Sequence, residues 1–139
     1  MPRMKKVVEE ILTNHGLIDK FRKDEFFHAR IESPGFMRLV IERLGGGRVS
    51  VAHYYEQNGD LMADPDIVFD MMDHDWVPVE YTQHNLGIYQ RVVHDKGGQE
   101  FVDIKLQKSI ASFANGLWAK NLKHQGFADP KQSVVAERL

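Results

Sequence analysis

Residues 48–61 read Arg48-Val49-Ser50-Val51-Ala52-His53-Tyr54-Tyr55-Glu56-Gln57-Asn58-Gly59-Asp60-Leu61, and Asp64-Pro65-Asp66 follows shortly after. Val49, Val51, His53 and Tyr55 occupy alternate positions, and a period of two places them on one face of a β-strand. Asn58-Gly59 then reverses the chain, because both central residues of a type I′ turn need positive φ and these two residue types tolerate it. Leu61 and Met62 begin the antiparallel return. Asp64-Pro65 removes a backbone donor from the ladder, which implies a break, a bulge or an edge position. Asp66-Ile67-Val68-Phe69-Asp70-Met71 resumes as a strand.

The same grammar extends in both directions. Upstream, Phe26–Glu32 reads as a strand, Ser33-Pro34-Gly35 as a turn, and Phe36–Leu44 as a strand with Met37, Leu39 and Ile41 on its apolar face. Gly45-Gly46-Gly47 is a flexible hairpin loop. It is not a phosphate loop, since no Lys-Ser/Thr follows it and no helix begins there. Downstream, Trp76–Gln83 is extended, Asn85-Leu86-Gly87 turns, and Gly87–Val93 pairs with Gln99–Leu106 across His94-Asp95-Lys96-Gly97-Gly98. In that last arm Val102, Ile104 and Leu106 alternate with Asp103 and Lys105. Two segments carry helical spacing instead. Met4, Val7, Val8, Ile11 and Leu12 predict a helix over 2–15, stopped at Gly16, with a further helical turn around 17–22. Ile110, Phe113, Ala114, Leu117, Trp118 and Leu122 predict a second helix. Gly116 inside it costs about 1 kcal/mol relative to Ala, a cost that close packing on the sheet would explain.

The order helix, six or seven strands joined by short turns, helix, defines an α+β fold. It is built on an antiparallel sheet flanked by an N-terminal and a C-terminal helix. At 139 residues the chain fits one domain over 1–127, with 128–139 as a flexible tail. Apolar residues at 42% and charged residues at 27% suit a self-sufficient core. The net charge of −2 argues against a global electrostatic footprint for nucleic acid and leaves room only for a local basic patch. With no cysteine, disulfides, thiolate metal sites and cysteine nucleophiles are excluded. Val7-Val8-Glu9-Glu10 interrupts any signal-peptide core, and no apolar stretch is long enough to span a membrane. These features point to a cytoplasmic protein.

The run Ser50–Leu61 with Asp64-Pro65-Asp66 resembles a small uncharacterised domain family, a domain of unknown function of bacterial, plasmid and phage proteins, over residues 36–93. The resemblance implies that setting and no activity, so it transfers no site residues.

Three constellations merit weighing as sites. The first is Pro65-Asp66 with Asp103-Ile104-Lys105. It resembles the PD-(D/E)xK pattern of restriction-type nucleases, in which two acids hold Mg²⁺ and a lysine activates water. Glu80 would be an extra acid. The plain alternative is that Asp103 and Lys105 line a solvated edge strand. The second comprises His53, Tyr55, Asp70, Asp73, His74 and His84. These residue types can bind metal or exchange protons, but no ligand spacing such as HExxH occurs. A buried, hydrogen-bonded His53 and a solvated acidic corner are the plain readings. The third is the aromatic set Tyr54, Tyr55, Trp76, Tyr81 and Tyr89, either a stacking or protein-contact surface or ordinary cross-strand packing. None outweighs its plain alternative. The expectation is therefore a non-enzymatic protein-binding or accessory domain, with no cofactor, no bound metal, and either a protein partner or a second copy docked at a sheet edge. The alternative is a metal-dependent nuclease-like enzyme.

Overall fold

The computed structural model describes residues 3–71 and 75–136. The chain runs α1 (Met4–Asn14), α2 (Ile18–Lys23), β1 (His28–Glu32), β2 (Arg38–Gly45), β3 (Arg48–Gln57), β4 (Asp60–Asp70), β5 (Val77–Gln83), β6 (Ile88–Arg91), β7 (Val93–Lys96) and β8 (Gln99–Val102). A helical run over 104–124 follows, made of α3 (Ile104–Ser112), a π-helical segment (Phe113–Trp118) and α4 (Ala119–His124); β9 (Ser133–Val135) closes the order. Seven strands form one antiparallel sheet in the order β6-β5-β4-β3-β2-β1-β9, while β7 and β8 form a separate hairpin. The α+β architecture expected from the pattern is the one observed.

Alternation decides what the sheet buries. Ile31, Leu39, Ile41, Val49, Val51, Ile67 and Phe69 project from one face into a single core. Met4, Val7, Val8, Ile11 and Leu12 of α1 enter that core together with Ile110, Ala114, Trp118 and Leu122 of the C-terminal helical run. Both helices therefore cover the same face. The opposite face carries the residues one step out of phase. His28, Glu42, Ser50, Val68, Glu80 and Arg91 form one cross-strand row, and Arg30, Val40, Ala52, Asp66, Thr82 and Tyr89 form the next.

The Asn58-Gly59 turn has φ of 53° and 84°, as a type I′ hairpin requires. At Asp64-Pro65 the chain does not break. β4 runs on through a cis peptide bond, and the register shift between Ala52 and Tyr54 marks a bulge. β4 lies between β3 and β5, so the bulge reading of that proline holds and the edge reading does not.

Several expectations are corrected. Residues 103–106 are not strand: β8 ends at Val102 and Asp103 caps a helix, accepting a hydrogen bond from Leu106 N at 3.0 Å. Alternating Val102, Ile104 and Leu106 fit a strand on paper, but Asp followed by an apolar helical stripe is also an N-cap signal, and packing on β5 favours the helix. Gly116 packs against nothing: an added Cβ would have no atom within 4 Å, and the residue instead sits in the π-helical segment. Met37 precedes β2 and is exposed rather than part of its apolar face. The segment expected as a tail supplies β9, which pairs with β1. Asp73 and His74 lie outside the described residues. No described helix is long and apolar enough to cross a membrane.

Candidate functional site

The nuclease-like constellation is divided between a strand and a helix: Asp66 lies in β4, Asp103 caps α3 and Lys105 lies within α3. Asp66 sits on the open face of central strand β4. Asp103 begins a helix whose Ile110 lies in the core on the other side of the sheet. Lys105 is an exposed residue of the first helical turn, so the same-face strand geometry expected for Asp103 and Lys105 is absent. Among the described residues no group of three or more histidines and carboxylates is placed to hold a metal ion.

Asp66 is nevertheless unusual. Ser50 Oγ donates to one carboxylate oxygen at 2.6 Å and Tyr54 OH to the other at 3.4 Å. Burial raises its pKa, the Ser50 and Tyr54 hydrogen bonds oppose that, and the negative charges of Glu80 and Glu42 add to the rise. Burial and the Asp66 charge likewise push the Tyr54 phenol well above its ordinary range. Two donors hold the carboxylate in one place without fully compensating its lost hydration. The sign follows directly. A carboxyl whose folded pKa is raised contributes stability fully below the unfolded value of 3.8 and loses it as pH rises through the folded pKa. Asp66→Asn keeps an acceptor for Ser50 and removes the buried charge. It is expected to raise the melting temperature by a few degrees at pH 7, with the gain vanishing below about pH 4. Parallel melts of both proteins across that range check this; an Asn variant less stable at pH 7 would overturn it.

The remaining candidates divide by location. Trp76 is buried in the core against Phe21 and Phe69, and so is no stacking platform. His53 is buried between Trp118 and Phe127, its Nδ1 3.3 Å from the Arg38 carbonyl. Tyr81 packs edge-on against Phe113, and its hydroxyl donates to Gln83, which in turn donates to Asp64. His84 accepts from Ala63 N at 2.8 Å beside the β4 bulge. Tyr89 is exposed and donates to Glu80 at 2.6 Å. Glu80 is thereby a sheet-face partner, also 3.9 Å from Arg91.

Tyr54 and Tyr55 of the aromatic set line a concavity. At the end of the sheet where β1 turns into β2 lies an open groove of about 800 Å³, walled by Pro34, Phe36, Met37, Tyr54, Tyr55 and Lys131 among others. Phe36 is 49% exposed and Met37 36%, so apolar surface faces the solvent there. Arg38, on the same rim, is held by Glu56 at 3.3 Å. Phe36 is not among the residues that the sequence pattern marks as site candidates. One signal marks it: it shares the parity of Arg38 and Val40, out of phase with the core positions Leu39 and Ile41, and it directly follows a turn.

The family model described as a domain of unknown function (DUF6908) matches residues 6–128, from α1 through the end of the C-terminal helical run and Phe127. The chain belongs to this family. The match is wider than the central hairpin that carried the resemblance, and it includes both helices that cover the DUF6908 core. Comparisons with curated proteins and with solved structures find no match. The groove of this DUF6908 domain is built mostly from the β1–β2 turn and β3, inside the matched region, while its Lys131–Ser133 wall comes from beyond it.

Proposed function

We propose that the domain is a non-enzymatic protein-binding module of a bacterial or mobile-element system, working in the cytoplasm. The groove beside the β1–β2 turn is its docking site. The observation that carries this reading is the joint exposure of Phe36 and Met37 in a groove backed by Tyr54 and Tyr55. Aromatic and methionine side chains supply large contact area, and they are enriched at the buried centres of protein interfaces. A charged rim of Arg38 and Lys131 around an apolar floor has the layout of such an interface. The bacterial or mobile-element setting comes from the resemblance alone, and the cytoplasm from the cysteine-free composition.

The short edge strands support a groove over an edge-to-edge homodimer. β6 has 4 residues and β9 has 3, and short edges are a common protection against strand pairing between copies. Selection of a displayed random peptide library on the full chain tests the reading, with a Phe36→Ser/Met37→Ser double variant as counter-target. Peptides rich in apolar residues should be enriched and should bind the double variant at least about tenfold more weakly, equivalent to about 1.4 kcal/mol. The double variant should melt close to the wild type, since neither side chain belongs to the core. Failure to enrich peptides that distinguish the two folded proteins would count against the groove.

A further inference from the structure

We propose that the outer edge of β1 is a strand-acceptor site, filled in this chain by its own β9, and that a partner docks by laying an extended segment there in place of β9. This rests on the module reading and names the kind of partner. The family match ends at residue 128, and β9 lies beyond it. Within the matched region β1 is therefore an edge strand, and the segment that covers it lies outside that region.

An uncovered strand edge presents a row of backbone donors and acceptors that another extended chain can complete, the basis of recognition by strand addition. β9 meets β1 at three registered pairs only, Arg30 with Val135, Ile31 with Val134 and Glu32 with Ser133, while β1 itself has 5 residues. Val134, opposite Ile31, is half-buried and packs against the core. A displacing strand thus needs an aliphatic side chain at that position. The approach to β9 is held by side-chain bonds: Gln132 Nε2 donates to Ser33 Oγ and to the Gly126 carbonyl, each at 3.1 Å. Lys131, Gln132 and Ser133 also wall the groove. A partner strand entering along the same track would cross Phe36 and Met37 before pairing with β1. That added contact is what would let it compete with a tethered β9, whose effective concentration is on the order of millimolar.

The experiment uses the full chain and a fluorescently labelled synthetic peptide of residues 129–136. Val134→Asp in the protein removes the apolar anchor of β9 and frees the edge. The peptide is expected to bind the Val134→Asp protein at least about tenfold more tightly than the wild type by fluorescence anisotropy. A peptide that itself carries Val134→Asp should fail to bind. Val134→Gly in the protein repeats the measurement without introducing a charge, and circular dichroism melts establish that each variant is folded. Equal affinity for wild type and folded variants, or no binding to any folded variant, would overturn strand exchange. If library-selected peptides bind the wild type, lose affinity with Phe36→Ser/Met37→Ser, and are indifferent to the 129–136 peptide, the groove reading stands and the strand-acceptor inference fails.

Discussion

Replacing Phe127 with Ala is expected to destabilise the domain by about 3–5 kcal/mol, a large share of the roughly 5–15 kcal/mol that holds a domain of this kind together. The melting temperature should fall by about 10 °C or more. Phe127 lies just after α4, where the chain leaves the helix, yet its side chain is fully buried. Its ring stands 5.5 Å from that of His53 on β3, and its carbonyl accepts from His15 Nε2 at the end of α1 at 2.8 Å. Asn14 Nδ2 donates to the next carbonyl, that of Ala128, at 3.0 Å. This stretch therefore ties α1 to the sheet, and truncating Phe127 opens a cavity where three elements meet. Phe127→Leu should cost much less, because it retains most of the buried volume. Urea denaturation of the three proteins measures the effect. A loss below about 1 kcal/mol for the Ala variant would mean that the segment is not part of the cooperative core.

The second large effect is acid destabilisation through His53. The imidazole is 5% exposed between Trp118 and Phe127, and burial lowers its pKa below 6.5. The backbone hydrogen bonds to Arg38 and Met37 and the negative charge of Asp64 act in the opposite direction without cancelling it. A histidine with a lowered folded pKa favours the neutral form in the native state. Its contribution is complete above the unfolded pKa and is lost as pH falls from there toward the folded pKa. One such proton steepens stability by at most about 1.4 kcal/mol per pH unit. His53→Asn keeps an N–H group for the Arg38 carbonyl and does not titrate. The wild type should therefore lose stability relative to this variant as pH drops below about 6.5, whatever the variant loses uniformly through poorer packing. Stability curves that stay parallel from pH 7.5 to pH 5 would show that His53 is not the group responsible. Asp66 gives a slope of opposite sign, and it cancels in this comparison because both proteins carry it.

Much of the architecture was legible because it is written in local patterns. Val49, Val51, Leu39, Ile41, Ile67 and Phe69 alternate, and each enters the core as its parity requires. Asn58-Gly59 specified its hairpin, and the 3.6-residue stripe of Met4, Val7, Val8, Ile11 and Leu12 specified α1. The candidate site was less legible. Tyr54 and Tyr55 stand out in the sequence as aromatics, but the groove forms because the β1–β2 turn carries Phe36 and Met37 alongside them, and Lys131 comes from far along the chain. Trp76 stands out for the same reason as the tyrosines and is core, since an aromatic in an extended segment has the same local signature on either face.

The amino-acid sequence by itself determined the α+β class, the hairpin at Asn58-Gly59, the two amphipathic helices and the absence of cysteine chemistry. Each of these depends on residues within one or two turns of chain. Only the tertiary structure decided that both helices cover the same sheet face, that Asp66 belongs to a strand while Asp103 caps a helix, and that Ser133–Val135 closes the sheet beside β1. Those outcomes depend on contacts between segments tens of residues apart. Period and propensity say which face of an element is apolar, but not which other element will cover it.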